Sequence, residues 1–87
     1  MRKNNNEFRH KREVILFLYD YSCQLCGLVS VSNHVHHIDK NGSNHNAFNL
    51  IPLCDHCHRL THKLLNISFA APDPYLQSSL QKLNSNF

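Results

Sequence analysis

At 87 residues, with a formal net charge of +3 and 41% hydrophobic residues, the chain has room for one domain and too little apolar surface to hold it without a staple. Four cysteines, eight histidines and no tryptophan make a metal the expected staple, rather than a large aromatic core. The apolar run Val14–Tyr19 is six residues long and lacks a small-residue cleavage site, so it fits neither a secretory leader nor a membrane span; a cytoplasmic setting is expected, where paired cysteines favour metal over disulfide.

Positive charge is concentrated at the N-terminus, in Arg2, Lys3, Arg9, His10, Lys11 and Arg12. Such a stretch suits a polyanion through counterion release, with a solvated tail as the plain alternative. Residues 1–7, with Asn4, Asn5 and Asn6 in a row, read as a disordered tail. Residues 8–67 are expected to form the domain proper. Val14, Phe17, Leu18 and Tyr21 have helical spacing, and the charged lead-in favours a helix over the buried strand that Val14–Tyr19 also permits. Cys23–Gly27 reads as a zinc-knuckle turn, and Leu28–Val31 and His34–Ile38 as short strands. Lys40–Asn46 has loop composition, and Asn49–Leu53 is a short apolar stretch containing Pro52. A helix is expected from Asp55 to about Asn66, with Leu60 and Leu64 on one face. In the C-terminal extension, residues 68–87, Asp73 is a good N-cap and Pro74 a good first helical residue; Tyr75, Leu76, Leu80 and Leu83 then lie roughly on one face.

Cys23-x-x-Cys26 and Cys54-x-x-Cys57 are two bidentate claws. Each presents two thiolates from one tight turn, and two claws complete a closed tetrahedral site of the structural zinc kind. Residues 27–53 separate the claws and leave room for a hairpin and a loop. Redox or disulfide chemistry fits a lone pair better than two pairs in one short chain. The binding free energy of the ion would form a large part of the folding free energy.

Between and after the claws stand His36-His37-Ile38-Asp39, then Asn49-Leu50, then Leu53-Cys54-x-x-Cys57-His58, with His62 four residues further on. This order and spacing, over about residues 21–62, resembles the HNH endonuclease family. The resemblance implies a small α+β fold with a ββα-metal (His-Me finger) core, a four-cysteine zinc site and flanking helices. The residues are chemically consistent with it. His58 and His62 lie one turn apart on the same helical face and can share an ion, and His36 can complete a three-ligand site with a position left open for water or phosphate. Neighbours on a strand point to opposite sides, so His37 is free for another task, and imidazole titrates in the range a general base needs. The resemblance assigns the same roles: His36, His58 and His62 as ligands, His37 as the base, and Asn49 as the asparagine that holds the loop and orients the base or, in some relatives, touches the metal.

Arg59 and Lys63 flank the metal helix and are candidate phosphate contacts, or simply a solvated face. Asp39 either orients a ligand histidine or serves as a turn residue. His34 shares a face with His36 and reads as exposed, with support of a ligand or a phosphate contact as the alternatives; His45 and His56 read as solvated. The implied activity is metal-dependent hydrolysis of phosphodiester bonds in nucleic acid, double-stranded DNA above all, with Mg2+, Mn2+, Ni2+ or Zn2+ as the catalytic ion. The competing readings are a non-catalytic zinc module that binds nucleic acid and an accessory subunit of a phage packaging machine. A homodimer or a phage or mobile-element protein are the partners considered, and no membrane partner is expected.

Overall fold

Two short strands set the frame. The computed structural model describes residues 3–63 and 67–85. In chain order it contains α1 (Lys3–Leu18), β1 (His34–His37), a 3-10 turn (Ala47–Asn49), β2 (Leu50–Leu53), α2 (Asp55–Lys63) and α3 (Pro74–Ser85). The strands are antiparallel, with His34 opposite Leu53, Val35 opposite Pro52, His36 opposite Ile51 and His37 opposite Leu50. Partners across a ladder share a face and successive residues alternate. Val35, His37, Leu50 and Pro52 therefore face one side of the sheet, and His34, His36, Ile51 and Leu53 the other.

Each side has its own core. Leu50 packs with Ile15 of α1, Ala47, and Leu80 and Leu83 of α3. Ile51 and Leu53 pack with Cys23, Cys54 and Cys57. Covered on both faces, β2 is buried along its whole length, which explains its unbroken apolar sequence. Pro52 fits because its carbonyl, turned away from β1, accepts from the Gln24 N–H at 3.0 Å, so its missing N–H costs no ladder bond. The chain is thus a small α+β fold with a two-stranded sheet, three helices and a four-cysteine cluster among the described residues. None of those helices is long and apolar enough to cross a membrane.

Several expectations are corrected. The backbone is helical from Lys3, so most of the expected tail belongs to α1; residues 1–2 lie outside the described residues. Once tertiary packing holds the later turns, extending a helix through polar residues costs little. Among the described side chains of α1 the buried ones are Lys11, Ile15 and Leu16, whereas Phe17 is 67% exposed. Every position of Val14–Tyr19 is apolar, so periodicity within it carried no information about the face. Leu28–Val31 is not a strand: Val29 makes an isolated bridge with Ser22, and bonds from the Cys23 N–H to the Leu28 carbonyl (2.8 Å) and the Gly27 N–H to the Cys23 carbonyl (2.9 Å) wrap the segment into the knuckle. Gly27 there has a φ of +82°, which favours glycine. The helix expected to reach Asn66 is described as far as Lys63; residues 64–66 lie outside the described residues.

The C-terminal segment is integral to the core. Asp73 caps α3 by accepting from the Leu76 N–H at 2.8 Å. Leu76, Leu80 and Leu83 pack inward, while Tyr75 is 83% exposed and off that face. Near the far end of α3, the Asn84 side chain accepts from the Ala47 N–H (2.6 Å) and donates to Asn46 Oδ1 (3.1 Å), which pins the turn that feeds β2.

Asn33 locks the entry to β1. Its side-chain nitrogen donates to the carbonyls of Tyr21 and Leu28, both at 2.9 Å, and its own carbonyl accepts from Arg12 Nη2 at 3.2 Å. It thereby ties α1, the knuckle and the strand together, and helps hold Asp20 and Tyr21, both at φ +57°, in the left-handed region. Asn33→Ala is expected to destabilise the zinc-loaded protein by about 2 kcal/mol in urea unfolding, from two lost buried hydrogen bonds. A change under about 0.5 kcal/mol, the range of an ordinary surface substitution, would show that the lock is dispensable.

Candidate metal centres

The first claw is a turn between α1 and β1, and the second runs from the end of β2 into α2. Cys54 sits at the N-terminus of α2: its Sγ accepts from the Cys57 N–H at 3.4 Å and its carbonyl from the His58 N–H at 2.8 Å. In the first claw, Cys23 Sγ accepts from the N–H groups of Leu25 and Cys26, each at 3.5 Å. Burial pushes the Cys23 thiol up, but backbone donors from Cys26, Cys54 and Leu25 outweigh it and bring its pKa down to about 6. Burial and the neighbouring thiols push Cys57 the other way.

The four sulfurs lie within 4.8 Å of one another, and Cys26 Sγ is 3.7 Å from Cys54 Sγ. Thiolates at about 2.3 Å around a tetrahedral zinc stand about 3.8 Å apart. Donor set and spacing fit, and the cluster indicates a structural zinc. The ion would resolve the opposed titration of Cys23 and Cys57 by holding all the sulfurs as thiolates.

A second cluster forms where β1 meets α2. Ring nitrogens of His36, His58 and His62 all lie within 4.8 Å of one another, with His58 Nε2 and His62 Nε2 3.4 Å apart. Imidazole nitrogens at about 2.0–2.1 Å from a tetrahedral ion would be about 3.4 Å apart. Burial, followed by the charges of His58, His62, His37 and Lys40, lowers the His36 pKa to about 4. Burial, His62 and His34 lower that of His58. Both imidazoles are therefore neutral at pH 7, which is the ligating form. Unlike the thiol cluster, this one opens on a cleft of about 310 Å³, lined by His36, His37, His58, His62, Lys40 and Gly42.

His37 takes the opposite side of the pleat. Its ring stacks on Phe8 of α1 (centroids 5.6 Å apart) and lies 5.5 Å from that of His45, which itself stacks on Phe8 at 4.4 Å. Its Nε2 is buried without a hydrogen-bond partner. Burial, then the charge of His45, lowers its pKa, against the opposing pull of Asp39. His45, expected to be solvated, is half-buried by these contacts.

Asn49 holds the loop. Its Oδ1 accepts from the Asp39 N–H (3.0 Å), its Nδ2 donates to Asp39 Oδ1 and to the Asn44 carbonyl (both 3.0 Å), and its carbonyl accepts from the Ile38 N–H (2.8 Å). It stands outside both ligand clusters. Asp39 also accepts from the Asn41 N–H and from Asn44 Nδ2, both at 2.8 Å, so it is a turn residue. The carboxylate that does back a histidine was not singled out in the sequence. Asp55 Oδ1 lies 3.2 Å from His34 Nε2, and the His34 ring stacks on His58 with centroids 5.1 Å apart. Arg59 is tied to the other oxygen of Asp55 at 2.6 Å, and neither it nor the exposed Lys63 lines the cleft. The signal for Asp55 was available: an acid directly after the capping cysteine, in the first turn of the metal helix. Its distant partner His34 was not deducible from spacing.

Removal of the structural metal is expected to unfold the domain. Chelation should abolish the far-UV helical signal and zinc should restore it, whereas Cys54→Ala should stay unfolded with zinc present. A helical, zinc-free Cys54→Ala protein would overturn the assignment.

In comparisons with protein-family models, curated proteins and solved structures, nothing matches the chain.

Proposed function

We propose that the chain is a metal-dependent endonuclease of the HNH type, in which β1, β2 and α2 form a ββα-metal unit that hydrolyses phosphodiester bonds of double-stranded DNA. The observation that carries this reading is the division of the His36–His37 pair: one ring joins two helix imidazoles at ligand spacing, while its neighbour borders the same cleft without joining them. Zinc and nickel suit such a donor set better than magnesium or manganese, which prefer oxygen. The bound ion would supply positive charge for the phosphate oxygens and the departing 3′ oxygen as negative charge develops on them.

The protein residues then have distinct tasks. His36, His58 and His62 hold the ion. His37, neutral at pH 7, takes a proton from water as the water oxygen bonds to phosphorus and the bond from phosphorus to the 3′ oxygen breaks; the departing 3′ oxygen takes a proton from solvent, leaving a 5′ phosphate and a 3′ hydroxyl. Asn49 fixes the loop backbone directly after His37, through Ile38 and Asp39, and so positions the base rather than touching substrate. Asp55 and the stacked His34 hold the ring plane of His58.

One observation favours a second reading. With Phe8 and His45 over His37 and its Nε2 buried, the module would bind nucleic acid without cutting until a partner, such as a packaging or mobile-element protein, shifts α1. Nicking of supercoiled plasmid separates the two. The isolated protein with manganese, nickel, zinc or magnesium should nick, and His37→Ala should reduce the rate by about 10²–10⁴-fold with zinc content unchanged. Binding without nicking under every metal favours the partner-dependent module, and nicking by His37→Ala at the wild-type rate removes His37 as the base.

A further inference from the structure

We propose that Lys40, rather than Arg59 or Lys63, grips a backbone phosphate of double-stranded DNA at the histidine cleft; this rests on the nuclease reading. Three observations point to it. First, Lys40 is the only permanently charged side chain among the described residues that line the cleft. Second, it makes no ion pair among those residues, whereas Arg59 is committed to Asp55 at 2.6 Å. Third, its backbone has a φ of +62°, a conformation that lysine adopts at a cost and that glycine or asparagine adopts more readily.

The strained position is held from both sides. The Lys40 N–H donates to the His37 carbonyl at 2.8 Å, so the turn carrying the lysine is closed on the proposed base. Beyond it, Asp39 accepts from the Asn41 N–H and the Asn49 side chain, fixing the loop on both flanks of Lys40. Asn41 and Gly42 follow directly, so residue types that suit the left-handed region stand next to it. Lys40 lines one cleft with His36, His58 and His62, which places it near the ligand cluster. A phosphate bound between the two would meet a permanent charge on one side and the ligand imidazoles on the other.

The test uses the full zinc-loaded chain carrying His37→Ala, so that DNA is bound and not cut, with a fluorescein-labelled duplex followed by anisotropy over a salt series. Lys40→Gly removes the charge and relieves the backbone, so folding should be unimpaired, checked by zinc content and thermal midpoint. Loss of one phosphate contact should make the log Kd against log salt slope shallower by about 0.9 and weaken binding about eightfold at 0.1 M salt. Lys40→Arg should restore both, and Arg59→Ala should leave the slope unchanged. An unchanged slope in Lys40→Gly, or equal losses in Lys40→Gly and Lys40→Arg, overturns the proposal. Nicking by the chain with His37 intact, measured separately, judges the nuclease reading, so the two can fail independently.

Discussion

The rest of the structure depends on bringing one pair of cysteines to the other. Cys23 and Cys26 precede β1, and Cys54 and Cys57 follow β2, so closing the quartet folds residues 27–53 back on themselves and brings the strand ends together. Cys54 also caps α2 and Cys57 stands in its first turn. The closure that stabilises the chain therefore also aims the helix. His58 follows Cys57 directly and His62 comes one turn later, so both are carried to His36 by the geometry of the second claw. A chain this short, with its buried leucines and isoleucines divided between two small clusters, has little else with which to fix that helix.

Histidine crowding gives the second cluster its character. Three rings, those of His36, His58 and His62, meet edge to face with centroids 4.8 to 5.8 Å apart, and the His34 ring stacks on His58 at 5.1 Å. Burial, followed by the charges of neighbouring groups, opposes protonation of His36 and His58, so those two are held as neutral donors. On the other side of the pleat, the His37 and His45 rings stack on Phe8, with His37 still at the border of the cleft. Two aromatic groups thus draw on one pair of adjacent residues.

Much of this was legible in the sequence where spacing is physics. The i, i+4 pair His58 and His62, the two Cys-x-x-Cys turns and the Asp73–Pro74 helix start each follow from local geometry, and each stands where spacing puts it. What could not be read were matters decided across the fold. The face of α1 depended on where α3 and β2 lay, since Val14–Tyr19 offers apolar groups all round. The fate of Leu28–Val31 depended on the knuckle taking its hydrogen bonds. Asn33, Asp55 and Asn84 look like ordinary polar residues until their distant partners arrive. Polar side chains reaching across a fold leave no periodic trace.

The alternation of β1 has a consequence for how such a chain can vary. His36 and His37 are chemically identical, and only the parity of their positions in the strand tells them apart. A change of length in the loop from Ile38 to Asn46 would disturb the bonds that Asn49 and Asp39 make there, but not the side that each strand residue faces, since the register is kept by the ladder. A slip of one residue between Asn33 and His36 is different in kind: every side chain of the strand would change sides. His37 would then face α2, His36 would turn toward Phe8, and the two imidazoles would trade places without any change in composition. Length thus leaves the facing of the histidine pair untouched on one side and decides it, by an even-or-odd condition, on the other.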